Sequence, residues 1–413
     1  MTRALHLSAV RSSLAAFVLA LALAPAAVAA WVFTSSARPG VADGSRAKPA
    51  ILEAGIASDA LGAPSGIDAR AYLVVDGATG GTLAGKAVGQ RVPMASITKL
   101  MTVLLALERS RLDEMVTVEA DATTAGGSAI GLQPGERISV RDLVQAALIQ
   151  SANDAAQALA DHVGGNEDRF VALMNTRARE LGLRQTHFAR PDGLDAPGHY
   201  SSARDVTQLA RIAMQKPFVR ATVRRTEASI AGGRSLYVWN DLLRTFPGLI
   251  GVKTGHTSDA GWCQVAAARG RGVTIYATLL GGPSRAERNE DLAALLRFGL
   301  SRYRLASVIS PERVYASAPT QWDRGPVELV AGRPVERAVR LGAVLVERVV
   351  APRVVALPVR RGQSLGEVQV YAGRRLLARA PLVARTAVSR PSLADKTAWY
   401  AERVAGNIAG WFP

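Results

Sequence analysis

The chain has 413 residues, enough for about two to three domains, and 48% of them are hydrophobic against 20% charged. That balance excludes a wholly disordered chain, and a single cysteine, Cys263, excludes a disulfide-stapled scaffold. The five histidines (His6, His162, His187, His199, His256) lie far apart, and with a single Cys a structural zinc site is not expected. The net charge is +16, and only 6 of the 50 basic residues are Lys. A solvated arginine-rich surface explains this; so would an anionic membrane or an acidic polymer. Nucleic acid is not expected as a partner, because aromatics are 5% and no basic, aromatic-interleaved element stands out. Residues 303–390 carry 15 Arg against 6 acidic residues, more than half of the excess.

In chain order, residues 1–30 have the pattern of an export signal. Arg3 and Arg11 precede an apolar run from Leu14 to Leu23, and Ala27-Val28-Ala29 offers a small-x-small cleavage site. An uncleaved anchor competes with this reading, since Leu14 to Phe33 is apolar over about one membrane thickness. Pro25 and the Ala-x-Ala site favour cleavage. Both readings place the rest of the chain outside the cytoplasm, on the periplasmic or wall side of the membrane. Residues 31–66, rich in Ser, Gly, Pro and Ala, read as a flexible linker.

From residue 67 to 303 the patterns change twice. Ala71 to Asp76 and Thr82 to Val88 read as strands around a Gly-rich turn. Helical patterns follow: Ser96 to Arg109, Val140 to Ile149 capped by Ser139, a helix after Asn153, Phe170 to Leu181, and Ala203 to Met214 capped by Ser202. Then Leu249 to Thr254, Trp262 to Ala268 and Val273 to Leu280 read as consecutive strands, closed by a helix over 284–302. Strands at both ends with helices between them predict an α+β domain, an antiparallel sheet flanked by helices.

Residues 304–386 read as a small all-β domain, with runs at Val327 to Val330, Ala343 to Val350, Val354 to Val359, Glu367 to Tyr371 and Leu376 to Leu382. Over 387–413 an imperfect helical stripe of Leu393, Tyr400, Val404, Ile408 and Trp411 is interleaved with Asp395, Lys396, Glu402 and Arg403. It fits a helix packed on the domain or a frayed tail. It also fits an amphipathic helix at a membrane surface with Trp399 and Trp411 at headgroup depth, and this is the reading adopted.

Three short segments carry chemistry. Ser96-Ile97-Thr98-Lys99 opens a helix, where one turn puts Ser and Lys on one face. A Ser hydroxyl needs a neighbouring base, and Lys can serve if its pKa falls, whereas Arg cannot. Ser151-Ala152-Asn153 supplies a hydroxyl and an amide at a helix break. Lys253-Thr254-Gly255 supplies a cation, a hydroxyl and a bare backbone at a strand end. Each alone is weak: Ser45-x-x-Lys48 repeats the first pattern in the linker by accident. Together and in order they are specific, and both cations are Lys in a chain that otherwise writes Arg.

These three segments resemble the signatures of penicillin-binding proteins and serine β-lactamases. Arg190-Pro191-Asp192-Gly193-Leu194-Asp195, Gly198-His199-Tyr200-Ser201 and Gly251 to Thr257 are similar to the D-alanyl-D-alanine carboxypeptidases, the low-molecular-weight penicillin-binding proteins. The resemblance spans roughly 67–302 and extends weakly into the β-rich region and the tail. It implies a β-lactamase-like catalytic fold and a penicillin-sensitive enzyme that removes the terminal D-Ala from peptidoglycan stem peptides, with β-lactams as covalent inhibitors and with no metal and no cofactor required. By the same analogy Ser96 is the nucleophile, Lys99 the base and Ser151 a proton relay. Asn153, Lys253, Thr254 and Gly255 bind substrate, and the backbone N–H groups of Ser96 and His256 form the oxyanion hole. A β-lactamase of the same fold is the nearest alternative. It ranks lower because no Glu-x-x-Leu-Asn is found and Glu167 and Glu180 lie in a regular helical pattern. A non-catalytic penicillin-binding receptor ranks lower still, since the motif residues are intact. Cys263 reads as a packed thiol.

Overall fold

The structure is a computed structural model that describes residues 51–53 and 64–409. In chain order its first part comprises β1 (Ile51–Glu53), β2 (Ala71–Asp76), β3 (Thr82–Lys86), α1 (Lys99–Arg109), β4 (Met115–Thr117), β5 (Arg137–Ser139), α2 (Val140–Ile149), α3 (Asn153–Gly164), α4 (Glu167–Glu180), α5 (Ala203–Ala213) and α6 (Pro217–Thr222). Then come β6 (Glu227–Ile230), β7 (Arg234–Tyr237), α7 (Leu242–Thr245), β8 (Leu249–Thr257), β9 (Gly261–Gly270), β10 (Val273–Gly282) and α8 (Arg285–Ser301).

The main sheet has the order β3-β2-β10-β9-β8 and is antiparallel throughout. Both of its faces are covered, so its central strands are continuous apolar runs whose alternate residues enter different cores. Tyr72, Val74, Ile275, Ala277 and Leu279 pack against Leu292, Leu295 and Leu296 of α8. Leu73, Val75, Val265, Ala267, Tyr276 and Leu280 face the helices α1 to α5. Gly299 lets α8 sit close on the sheet, where a Cβ would come within 2.5 Å of Ile275 Cγ2. On the other face a buried hydrogen bond joins the hydroxyls of Thr207 on α5 and Thr278 on β10 (2.7 Å).

Side-chain caps set the helix starts. Ser139, Ser202 and Ser284 hydroxyls accept from the amides of Asp142, Asp205 and Glu287, at the first residues of α2, α5 and α8. Asn166 does the same for Arg169, so α4 begins at Glu167, three residues before the expected Phe170. The helix expected from Ser96 starts instead as a 3₁₀ turn, Ala95–Thr98, and becomes α-helical at Lys99.

The C-terminal region comprises β11 (Tyr303–Ile309), β12 (Val314–Ala318), β13 (Val327–Ala331), β14 (Val335–Arg340), β15 (Val344–Val350), β16 (Ser364–Ala372), β17 (Arg375–Ala384) and α9 (Leu393–Ala409). One sheet has the order β1-β15-β16-β17-β13-β12, and β11 pairs with β14. Val308, Leu329, Val368, Val370 and Leu382 belong to its separate core.

Two expectations are corrected here. Val354 to Val359 is not a strand: it makes only single bridges, Thr320 with Val355 and Val359 with Val388, and Pro358 has no amide to donate. Ile51–Glu53, expected as linker, is strand β1 at the edge of the C-terminal sheet. As the adjoining ranges 67–303 and 304–386 imply, β11 follows α8 directly; Tyr303 begins it with its side chain buried among the residues of the α8 core. The expected export signal, residues 31–50 and 54–63 of the linker, and Trp411 and Phe412 of the tail lie outside the described residues.

Candidate active site

Ser96 sits on the 3₁₀ turn between Ala95, which has a positive φ of 50°, and buried Thr98. A non-glycine residue holds that conformation only when its surroundings enforce it. Thr98 Oγ1 donates to the Ala95 carbonyl (2.8 Å) and contacts His199 Nε2 (2.8 Å). Because His199 Nδ1 accepts from the Ala189 amide (3.0 Å), Nε2 carries the proton and donates to Thr98. Burial pushes His199 down to about 4, so this ring is neutral.

Lys99 lies one turn on and is fully buried. Its Nζ donates to Ser96 Oγ (2.8 Å), Asn153 Oδ1 (2.6 Å) and the Asp192 carbonyl (2.6 Å). Burial brings it down to about 7; Asp192 and Asp154 oppose the fall and Arg190 adds to it. A Lys in contact with a hydroxyl and near neutrality can take its proton at physiological pH. The buried Asp192 carboxylate is engaged by Arg190 Nε and Nη2 (3.1 and 3.0 Å) and by the Leu194 amide (3.0 Å), which aims its carbonyl at Lys99.

Ser151 lies at the break between α2 and α3 with a φ of 65°. Its Oγ accepts from Lys253 Nζ (2.8 Å), which also donates to the Thr254 carbonyl (2.9 Å). Burial first, then Lys99 and Arg288, push Lys253 well below the ordinary lysine range. Asn153 follows at the first position of α3. Its Nδ2 donates to the Gly126 carbonyl and its Oδ1 accepts from Lys99, so it fixes the lysine and keeps one hydrogen and one lone pair for another partner.

The strand expected to end at Thr254 runs to Thr257, so Lys253, Thr254, Gly255 and His256 all lie on β8, the edge strand of the sheet. A Cβ at Gly255 would come within 2.9 Å of the Ser96 amide nitrogen and of Ala95 Cβ. Its missing side chain thus brings β8 against the nucleophile turn. His256 is exposed and lies against Trp262, ring centroids 4.1 Å apart.

Ser96, Ser151, Asn153, Thr254, Gly255 and His256 line one cavity of about 250 Å³; Lys99 and Lys253 lie behind its wall. Glu167 heads α4 and does not line it. Sequence reasoning missed Arg288, which also lines the cavity. It is 1% exposed, beneath Trp262, and 3.6 Å from Asp241. Burial pushes its guanidinium down to about 10. The available signal was an Arg in register with Leu292, Leu295 and Gly299 on the buried stripe of α8. Arg190, Asp192 and His199 stood in quoted segments, but no role was given to them. Cys263 is buried, accepts from the Gly281 amide (3.4 Å) and is pushed up to about 11, an unreactive thiol.

Residues 58–284 match the family model described as D-alanyl-D-alanine carboxypeptidase. The chain is 31% identical over 378 residues to the D-alanyl-D-alanine carboxypeptidase DacD of Salmonella typhimurium, covering 86% of this chain and 96% of that one. It superposes on penicillin binding protein 6B from Escherichia coli with a TM-score of 0.59 at 28% identity, covering 79% of this chain and 98% of that one. For the Streptomyces K15 DD-transpeptidase the TM-score is 0.55 at 32% identity, covering 58% and 99%. With a Ser–Lys pair at the head of a buried helix, a second Ser bound to a second Lys, and these likenesses, the chain belongs to the D-alanyl-D-alanine carboxypeptidase family and is a serine-type peptidase.

Proposed function

We propose that the chain removes the terminal D-Ala of peptidoglycan stem peptides by the following division of labour. Lys99 Nζ, in its neutral form, takes the proton of Ser96 Oγ as that oxygen bonds to the carbonyl carbon of the penultimate D-Ala. The carbonyl oxygen becomes an oxyanion held by the backbone N–H groups of Ser96 and His256. The proton passes through Ser151 to the leaving amine, the C–N bond breaks and D-Ala departs. Water then attacks the ester; its proton returns through Lys99 to Ser96, and the shortened peptide leaves as a carboxylate.

Lys253, Thr254 and Arg288 hold the terminal carboxylate of the substrate. The supporting observation is that Arg288 lines the cavity, while buried Lys253 behind its wall bonds to Ser151 and the Thr254 carbonyl and has no anionic partner among the described residues. A substrate carboxylate supplies that anion and pushes Lys253 back up towards its charged form. Asn153 offers its remaining hydrogen to the substrate amide, and the peptide lies extended along the free edge of β8.

The observation that carries the reading is the Lys99–Ser96 contact of 2.8 Å with Lys99 near 7. Mass spectrometry of the products from a pentapeptide substrate tests it: loss of one D-Ala is expected. A fluorescent penicillin labels Ser96, and slow release of that label separates this activity from β-lactam hydrolysis.

We place the protein outside the cytoplasm, held at the membrane surface by its tail. Support comes from α9, capped by Ser392, whose amide donates to Asp395 Oδ2 (2.8 Å), with Leu393, Tyr400 and Val404 exposed. Trp399 does not join that face as expected. It packs edge-on against Trp322 (5.2 Å), which with the Arg324–Asp395 pair (3.3 Å) ties the helix to the β-region. Among the described residues no helix is long and apolar enough to cross a membrane.

A further inference from the structure

A second cavity, of about 740 Å³, lies where the main sheet meets the C-terminal strands. Arg220 and Arg269 line it from the catalytic side, and Arg337, Arg340 and Arg375 from the other. Arg269 stands on β9 at the turn into β10, and Arg375 opens β17 after the turn from β16, so two hairpin ends border one cleft. Among the described residues, none of the five guanidinium groups has a carboxylate within salt-bridge distance. Elsewhere in the same region arginines are paired, as in Arg313–Glu347 and Arg385–Glu328.

The one carboxylate in the lining, Asp76, is held ionised by its hydrogen bonds and offsets one of the five charges, leaving an excess of four. Asp76 Oδ1 accepts from the amides of Ala78 and Thr79 (2.8 Å each), and Oδ2 accepts from the Tyr303 hydroxyl (2.5 Å). Arg220 donates to the carbonyls of Met214 and Gln215, and Arg337 to those of Leu377 and Glu336, neutral partners that leave both charges without a counter-ion. Five like charges around one concavity repel one another unless an anion enters. A planar guanidinium donates in parallel pairs, a geometry that fits the oxygens of phosphate.

We propose that this cleft binds a phosphate-bearing ligand gripped by arginines from both regions, at a site separate from the cavity that holds Ser96. The phosphate belongs either to a soluble anion or to the headgroup of an anionic lipid at the membrane surface. Since the ligand touches both regions, its binding stabilises their junction.

The test uses the full chain. Inorganic pyrophosphate is titrated calorimetrically at constant ionic strength, and the protein is sedimented with phosphatidylcholine vesicles with and without phosphatidylglycerol. The cleft variant is Arg337→Gln/Arg340→Gln/Arg375→Gln. Its control, Arg333→Gln/Arg348→Gln/Arg379→Gln, removes the same charge from exposed positions outside the cleft. Unchanged circular dichroism and thermal unfolding, together with unchanged D-Ala release, confirm that both fold, and if the triple cleft variant does not fold, Arg340→Gln alone is measured.

Saturable pyrophosphate binding, weakened about tenfold or more in the cleft variant and kept in the control, supports a soluble anion. No pyrophosphate binding, with phosphatidylglycerol-dependent sedimentation lost only in the cleft variant, supports the lipid headgroup. If neither probe depends on the cleft, or the control loses as much as the cleft variant, the proposal is overturned.

Discussion

The catalytic region and the C-terminal β-region handle charge in opposite ways. In the first, Lys99, Lys253 and Arg288 are buried at 0%, 2% and 1% exposure, around a cavity that also receives Ser96 and Ser151. In the second, the core is Val, Ala, Leu and Ile309, and arginines such as Arg348 and Arg379 stand exposed on the strands while others line the cleft at its border. Burying a cation costs several kcal/mol unless its pKa falls or partners replace water, so a fold keeps one inside only where it serves a purpose. The difference teaches that the location of a charge, more than its count, separates chemistry from surface in this chain.

The largest expected effect comes from removing the nucleophile. Ser96→Ala should lower D-Ala release by about 10⁴-fold or more and abolish covalent penicillin labelling, because no other hydroxyl contacts Lys99. Retained labelling, read on a gel, would move the reactive group elsewhere and break the comparison at its centre.

The two buried lysines sharpen it next. Lys99→Arg should cost about 10³-fold in kcat/KM, close to Lys99→Ala, since guanidinium does not release its proton. Lys253→Arg keeps a positive charge beside the substrate carboxylate and should lose less, about tenfold. Equal losses at both positions would remove the distinction between base and electrostatic clamp. The pH profile gives a second reading. Lys99 acts when neutral, and its pKa is about 7, so kcat/KM should climb with pH below 7 and level off above it. A profile that falls as pH rises from 6 to 7 would contradict a neutral lysine base.

Gly255 tests whether β8 must press on the nucleophile turn. Gly255→Ala puts a methyl 2.9 Å from the Ser96 amide nitrogen and should lower kcat by about 10²-fold. The thermal unfolding midpoint should also fall, by about 2–8 °C, because the neighbours of the added Cβ are backbone and a buried Ala that cannot yield without moving the turn.

These positions also show what the sequence made legible. The Ser-x-x-Lys pair, the Ser–Asn helix break and the Lys-Thr-Gly strand were readable because each chemistry needs fixed spacing on one element. The sheet strands were readable because apolar runs bounded by glycine turns leave few other structures. Asp192, His199 and Arg288 act through contacts between segments far apart in sequence, such as Lys99 with the Asp192 carbonyl, and no local pattern encodes such a pairing. Gly255 was read as room for substrate; its close approach to Ser96 depends on how β8 docks, which is a tertiary fact. Ile51–Glu53 looked like linker because three residues carry no periodicity, and only the edge of β15 gives them a partner. Trp399 was assigned to the lipid face since its partner, Trp322, is 77 residues earlier in a loop with a positive φ of 68°.

The smallest effect on catalysis, none, is expected from the tail, and this tests the other side of the comparison. Truncation at Pro391 should leave D-Ala release from a soluble peptide unchanged, because the side chains of Ser96, Ser151 and Lys253 bond to Asp192, Lys99, Thr254 and one another, all far from the tail in sequence. It should shift the protein out of the membrane fraction if residues 1–30 are cleaved. The helix charges Asp395, Lys396, Glu402 and Arg403 cancel, so its attachment should rest on apolar burial and change little with salt. Trp322→Ala adds a finer reading. The edge-on aromatic contacts it removes are worth about 0.5–1.5 kcal/mol each, enough to loosen α9 from the β-region without unfolding either. Hydrogen exchange across 393–404 should then rise while exchange in β16 and β17 stays slow. Should exchange rise in those strands as well, the helix would be part of the β-core, and the tail could no longer be treated as a separate membrane element. If the truncated form stays with membranes, extraction at high salt separates the remaining causes. Release points to the arginines of 303–390, and retention points to an uncleaved N-terminal anchor.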